Sequence, residues 1–175
     1  MGTTVSLGVS TDQRGFSLLE TMVALGILAV VAAGVLPLGV TAIKSTENHG
    51  HLRVRTTEYA QDKIEQLMAL PYGNAATDTR FFPAKAAGGS GLAVGGSLNT
   101  NAPATLYSDY LDVSGNLLDA TGGRPANWHY MRAWQITQLR NNLKQITVIA
   151  RVNTAWGGPG LVPQATVSVL KTSPF

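Results

Sequence analysis

Twenty-three consecutive residues without a charged side chain, Thr21 to Ile43 (TMVALGILAVVAAGVLPLGVTAI), constrain this chain more than any other feature. Extended back to Phe16, the stretch covers 28 residues with a single charge, Glu20. A helix rises about 1.5 Å per residue and the hydrocarbon core of a bilayer is about 30 Å thick, so the segment is predicted to span a membrane. It also accounts for a composition that is 45% hydrophobic but only 13% charged, about half the usual globular share. Mean hydropathy is only +0.09, too low for several spans, so one apolar block sits beside polar sequence. The 13 basic and 10 acidic residues leave a net charge of +3 and are dispersed, without the Lys/Arg cluster of a nucleic-acid binder. Cysteine is absent, which excludes a disulfide framework, thiolate metal sites and cysteine nucleophiles. The 175 residues leave room for one ordinary domain, or for a smaller domain plus an anchor.

Three readings compete for the apolar segment. A secretory signal peptide has an apolar region of about 7–15 residues that ends in a small-residue cleavage site. Val31-Ala32-Ala33 offers such a site, but the run continues to Ile43, and the leader MGTTVSLGVSTDQRG balances Asp12 against Arg14. Two readings then remain, a plain single-pass anchor and a precursor cut ahead of the helix. Glu20 separates them. A carboxylate one turn into a bilayer helix costs a few kcal/mol unless it is paired or lies near the interface. Headgroup solvation is one resolution. The other is cleavage between Gly15 and Phe16, which creates an α-amino group four residues from the carboxylate. That ammonium neutralises Glu20 of a neighbouring copy only after cleavage and only in an assembly.

The run Arg14-Gly15-Phe16-Ser17-Leu18-Leu19-Glu20, followed by the apolar helix, resembles the class III signal of type IV prepilins and pseudopilins. The resemblance implies a leader of residues 1–15. It also implies that prepilin peptidase, a membrane aspartyl protease, cleaves after Gly15 and N-methylates Phe16, and that Glu20 acts in assembly. Pro37, 21 residues after Phe16, stands where many pilins carry a proline. It removes an amide donor and clashes with the preceding turn, and Gly34 and Gly39 weaken the helix around it. Two readings stay open for it: a harmless transmembrane kink, or a stretch that partly unwinds when subunits pack. Lys44, Arg53 and Arg55 beyond the helix run against the positive-inside rule, so only the resemblance places the C-terminus outside.

Past Ile43, Ala60, Ile64, Leu67 and Met68 recur at helical spacing opposite Glu58, Gln61, Asp62 and Glu65, until Pro71 and Gly73 end the pattern. One helix from Phe16 to about Leu70 is therefore predicted, roughly 80 Å long, with transmembrane half 16–43. Residues 73–127 read as a Gly-rich loop region, and AAGGSGLAVGGS (86–97) within it as too low in complexity to bury much core. Inside that zone, Thr105 to Val113 is a possible strand. The sequence from 128 to 171 is β-patterned. Trp128, Tyr130, Arg132, Trp134 and Ile136 alternate with His129, Met131, Ala133, Gln135 and Thr137. After Asn141-Asn142 come Lys144–Asn153, the loop Trp156–Gly160 and Ala165–Lys171. The predicted fold class is α+β, type IV pilin-like: a long helix on a small antiparallel sheet. The strand order also resembles minor pilins of the PilV class and small pseudopilins. The C-terminal disulfide common in major pilins is missing here.

Catalytic and metal constellations are not found. His49 and His51, two apart on a helix, face different sides and read as solvated. Asp109, Asp112 and Asp119 lack EF-hand spacing and read as surface carboxylates. His129 reads as a sheet-surface residue, and Trp128 and Trp134 as packing on the helix rather than stacking on a ligand. The expectation is thus a non-enzymatic structural subunit without cofactor, catalytic residue or metal. It is a minor type IV pilin or, alternatively, a minor pseudopilin of a type II secretion system. Its expected partners are other pilin or pseudopilin subunits, prepilin peptidase, an inner-membrane assembly platform and the membrane itself; nucleic acid is not indicated. The expected location is the inner membrane with the C-terminus periplasmic, then the filament. The competing class is a membrane-tethered periplasmic binding protein or enzyme.

Overall fold

One helix, α1 (Leu18–Ala69), opens the structure, and seven strands follow. The computed structural model describes residues 17–86, 88–154 and 162–173, with backbone alone for 39–49. It divides into two units, Met1–Ser45 and Thr46–Phe175. Ser17 starts the helix: its carbonyl accepts the amides of Glu20 and Thr21, and its Oγ accepts the Glu20 amide at 3.2 Å. Ser17 and Glu20 have the Ser-x-x-Glu spacing of a capping box, which satisfies amides that the first turn leaves unpaired.

In the first unit, Leu18–Leu38 is a 21-residue stretch of mean hydropathy 2.4, none of it buried. Its length and composition suffice to cross a membrane. Leu18, Leu19, Val23, Leu25, Ile27, Leu28, Val31 and Val35, which fall on every side of the helix, are all more than half exposed. The apolar surface is therefore continuous around the helix rather than a stripe aimed at a core.

In the second unit, Thr56, Ala60, Lys63, Ile64 and Leu67 form a buried stripe on α1. Met68, expected in that stripe, is half-buried against the same core. The helix ends before Pro71, as predicted, and its last turn holds no basic residue. A cation reaches its end from the sheet instead: Lys171 Nζ donates to the Met68 carbonyl at 2.6 Å, and just past the helix Lys144 Nζ donates to the Tyr72 carbonyl at 2.9 Å.

The sheet facing this stripe has β5 (Tyr130–Arg140), β6 (Leu143–Val152) and β7 (Gln164–Thr172) as a meander, all pairs antiparallel. Asn141-Asn142 makes the predicted two-residue turn, with Arg140 opposite Leu143 and a bulge between Gln138 and Arg140. The Gly-rich zone contributes more than expected. Besides the two-stranded pair β1 (Thr77–Asp78) and β2 (Lys85–Ala86), it supplies β3 (Gly95–Gly96) and β4 (Ser108–Leu111), both paired to the free side of β5. The sheet therefore draws on 95–96 and 108–111 as well as on 128–171. Leu92 is completely buried in the core. The glycines make this approach possible. Gly96 has φ +85°, and a Cβ there collides with the Trp134 carbonyl oxygen and meets the Tyr107 ring.

Period-two alternation holds within β5. Trp134 and Ile136, with Ile146, Val148 and Ala150 of β6, pack on Ala60, Ile64 and Leu67. The opposite face carries Met131, Ala133 and Ile149 beneath Tyr110, Leu98, Leu118 and Trp128. Trp128 thus departs from the expectation that it packs on the helix. It precedes the strand, where the alternation no longer applies, and meets Tyr110 edge-on at 5.8 Å. The Trp156–Gly160 loop lies outside the described residues.

Candidate functional site

The residues singled out by sequence fall in three places. Gly15 and Phe16 lie outside the described residues. Glu20 is exposed in the first turn of α1, and Pro37 lies inside the helix, also exposed. Around Glu20, Thr21 Oγ1 donates to the Leu18 carbonyl at 2.8 Å, so the other polar side chain of this turn is occupied by backbone. Glu20 is thereby the one ionisable group on an otherwise apolar and exposed helical surface.

The three aspartates do not converge. Asp112 accepts the amides of Ser114 and Asn116 and the Asn116 side-chain amide, and these hydrogen bonds, led by that side chain, hold its carboxyl below the usual range. Asp119 accepts the amide and hydroxyl of Thr121. Among the described residues no group of three or more His, Cys, Asp or Glu side chains gathers as metal ligands. His129 is half-buried in the loop before β5, its ring 4.7 Å from that of Tyr130, and burial lowers its pKa. His51 is exposed; the side chain of His49 is not described.

Asp109 corrects the expectation of a surface carboxylate. It is 1% exposed, because β4 carries it beneath the helix, where two cations meet it. Arg132 of β5 grips it with Nε at 2.7 Å and Nη2 at 2.8 Å, and Lys63 of α1 reaches Oδ2 at 2.7 Å. Arg132 Nη1 also donates to Asp62 at 2.6 Å, and Lys63 Nζ donates to the Thr79 carbonyl and stands 4.3 Å over the Trp134 ring. Sequence reasoning missed this cluster, yet a signal existed. Lys63 falls within the buried helical stripe, and Arg132 between Tyr130 and Trp134 in the alternation. Two cations at core positions require a carboxylate, since an unpaired buried charge is too costly to keep. Burial pushes the Asp109 carboxyl up, but the charges of Arg132 and Lys63 outweigh it and hold the carboxyl below its usual value.

Burial dominates at Lys63 and, against the pull of Asp109, lowers its pKa from 10.5 to about 8. The amine is charged at neutral pH and loses its proton more easily folded than unfolded. Between about pH 8 and 10.5 the unfolded chain binds a proton that the folded chain does not, so stability rises with pH across that window. A shift of this size corresponds to about 3 kcal/mol. Urea unfolding of the full chain in detergent is expected to show this rise in wild type and to lack it in Lys63→Met. Parallel pH profiles for the two proteins would rule the assignment out.

Residues 10–36 match the family model described as the prokaryotic N-terminal methylation motif. That motif, with the apolar helix it runs into, fits the N-terminus of a type IV pilin-like prepilin. The match contains Gly15, Phe16 and Glu20 and most of the apolar stretch, and the antiparallel sheet behind α1 completes an α+β pilin-like fold. The motif implies processing by a prepilin peptidase and assembly with other pilins, and together with the apolar helix it suggests a membrane-anchored precursor. No curated protein and no solved structure matches the chain.

Proposed function

We propose that this prepilin is a structural, non-enzymatic subunit, a minor type IV pilin that enters a pilus after cleavage between Gly15 and Phe16. The observation that carries the reading is the pairing of the methylation motif with an apolar helix segment whose whole circumference is exposed. Lipid covers such a surface before assembly, and the helices of other subunits cover it afterwards. The precursor sits in the inner membrane with its C-terminal region in the periplasm, and an inner-membrane platform extracts it into the filament. Phe16 then bears an N-methyl ammonium that neutralises Glu20 of a neighbouring subunit. Pro37 loosens the helix where neighbouring subunits pack.

Intact mass and N-terminal sequencing of the protein from its native host test the processing step. The expected chain begins at N-methyl-Phe16. A terminus at Met1, or at Gly34 as signal-peptide cleavage would leave it, overturns the reading. Deletion of the gene assigns the assembly: loss of surface pili marks a pilin, whereas loss of secreted proteins with pili intact marks a type II pseudopilin.

A further inference from the structure

On the side of the second unit built by three loops, Arg80, Thr105, Leu106, Ser108, Tyr110 and Arg124 line a cleft of about 200 Å³. The two guanidiniums differ in how far they are already satisfied. Arg80 is bound twice to Asp78, Nε at 3.0 Å and Nη2 at 2.9 Å, and Asp119 adds negative charge beside it. Its charge is compensated within the fold. Arg124 has no carboxylate partner among the described residues. It lies 5.5 Å from the Trp128 ring and 6.0 Å from that of Tyr110, and its Nε donates to the Tyr110 hydroxyl at 3.4 Å. Two ring contacts and the tyrosine hydroxyl hold the guanidinium at the cleft, while its Nη groups stay available for a carboxylate.

The remaining lining alternates hydroxyls with apolar surface. Ser108, Thr105 and Tyr110 supply the hydroxyls, and Leu106 the apolar contact. Leu106 has φ +71°, a conformation that a leucine adopts at a cost. Ser90 Oγ holds it there through its carbonyl, at 2.9 Å, which keeps the loop in the shape that forms the cleft wall. The volume falls below that of a drug-sized site and suits one small polar body.

We propose that this cleft binds the carboxylate of a small polyhydroxylated acid, with Arg124 as its counter-ion and the three hydroxyls on the ligand's own hydroxyls. The source is either a free hydroxy acid or a uronate residue of a glycan. This inference stands on the loops of the second unit and does not depend on how the N-terminus is processed.

Calorimetric titration of the full chain in a zwitterionic detergent tests it, with glucuronate, gluconate and glucose as probes. Trp128 emission reports the location. Glucuronate is expected to bind at least tenfold more tightly than glucose, to weaken with added salt, and to perturb a signal that Trp128→Phe removes. Arg124→Gln, at an exposed position, is expected to weaken glucuronate at least tenfold, with Arg124→Lys between the two. Preference for glucuronate over gluconate assigns the sugar ring as the source, and equal binding assigns the hydroxy acid. Equal binding of glucose, no binding of either acid, or unchanged affinity in Arg124→Gln overturns the proposal.

Discussion

Asp109→Ala is expected to destabilise the second unit by about 3–5 kcal/mol, the range for removing one partner from a buried ion cluster. The cause is less the lost attraction than what remains. Lys63 is completely buried and Arg132 is 3% exposed. Without Asp109, Lys63 keeps no carboxylate contact but only the Thr79 carbonyl, Gln66 Oε1 at 3.5 Å and the Trp134 ring, and Arg132 keeps only the half-exposed Asp62. Urea unfolding of the full chain in detergent, followed by tryptophan emission, measures the loss. Two comparisons separate stranded charge from lost volume. Asp109→Asn preserves size and is expected to remain severely destabilised. The triple variant Asp109→Leu, Lys63→Met, Arg132→Met removes all three charges and is expected to recover most of the loss. An Asp109→Ala cost below about 1 kcal/mol would show that water reaches the cluster. The acid limb offers a further check. Because the folded-state pKa of Asp109 is depressed, its contribution is complete above the unfolded value of 3.8 and disappears as pH falls through the lower folded value. Asp109→Asn is expected to flatten that limb.

Glu20→Val is expected to leave cleavage intact and to abolish incorporation into filaments. The carboxylate is the one charge in an exposed apolar stretch, so packing that stretch among other helices buries it. Burial is tolerable only if a cation meets it, and the ammonium of a processed neighbour supplies one. The Ser-x-x-Glu spacing gives the position a second role to test: Ser17 Oγ accepts the Glu20 backbone amide, and the reciprocal half of a capping box would fall to the Glu20 side chain. Glu20→Gln tells the two roles apart. Glutamine satisfies the capping-box pattern as well as glutamate but carries no charge. Cleaved precursor that is absent from sheared filaments is expected for both variants. Incorporation of Glu20→Gln at the wild-type level would assign the residue to capping alone, and failure of cleavage in either variant would assign it to peptidase recognition.

Periodicity made much of the fold legible. Ala60, Ile64 and Leu67 marked the helical stripe, Tyr130 to Ile136 the central strand, and Asn141-Asn142 the turn to its neighbour. What escaped were features in which identity and position conflict. The stretch 86–97 looks too poor in side chains to join a core, yet glycine at 96 is what lets β3 lie against the Trp134 carbonyl, and Leu92 follows it inward. Asp109 looks like any loop carboxylate until the cations at Lys63 and Arg132 are placed in space. Trp128 shows the opposite error, an alternation carried two residues beyond the strand that sustains it. At the N-terminus the methylation motif of residues 10–36 was legible because it is a signal read along the chain and needs no tertiary partner.

The ion cluster also bears on the order in which the molecule is made. Asp62 and Arg132 are 70 positions apart, and Lys63 and Trp134 are separated slightly more widely. The stripe on α1 therefore leaves the ribosome long before the strands that will cover it, while the apolar stretch ahead of it is ready to enter a bilayer. Contacts this distant along a chain close late. During that interval Lys63 has water for company instead of Asp109. A cation on the stripe keeps the waiting helix soluble and becomes a core residue only once the last third of the chain arrives.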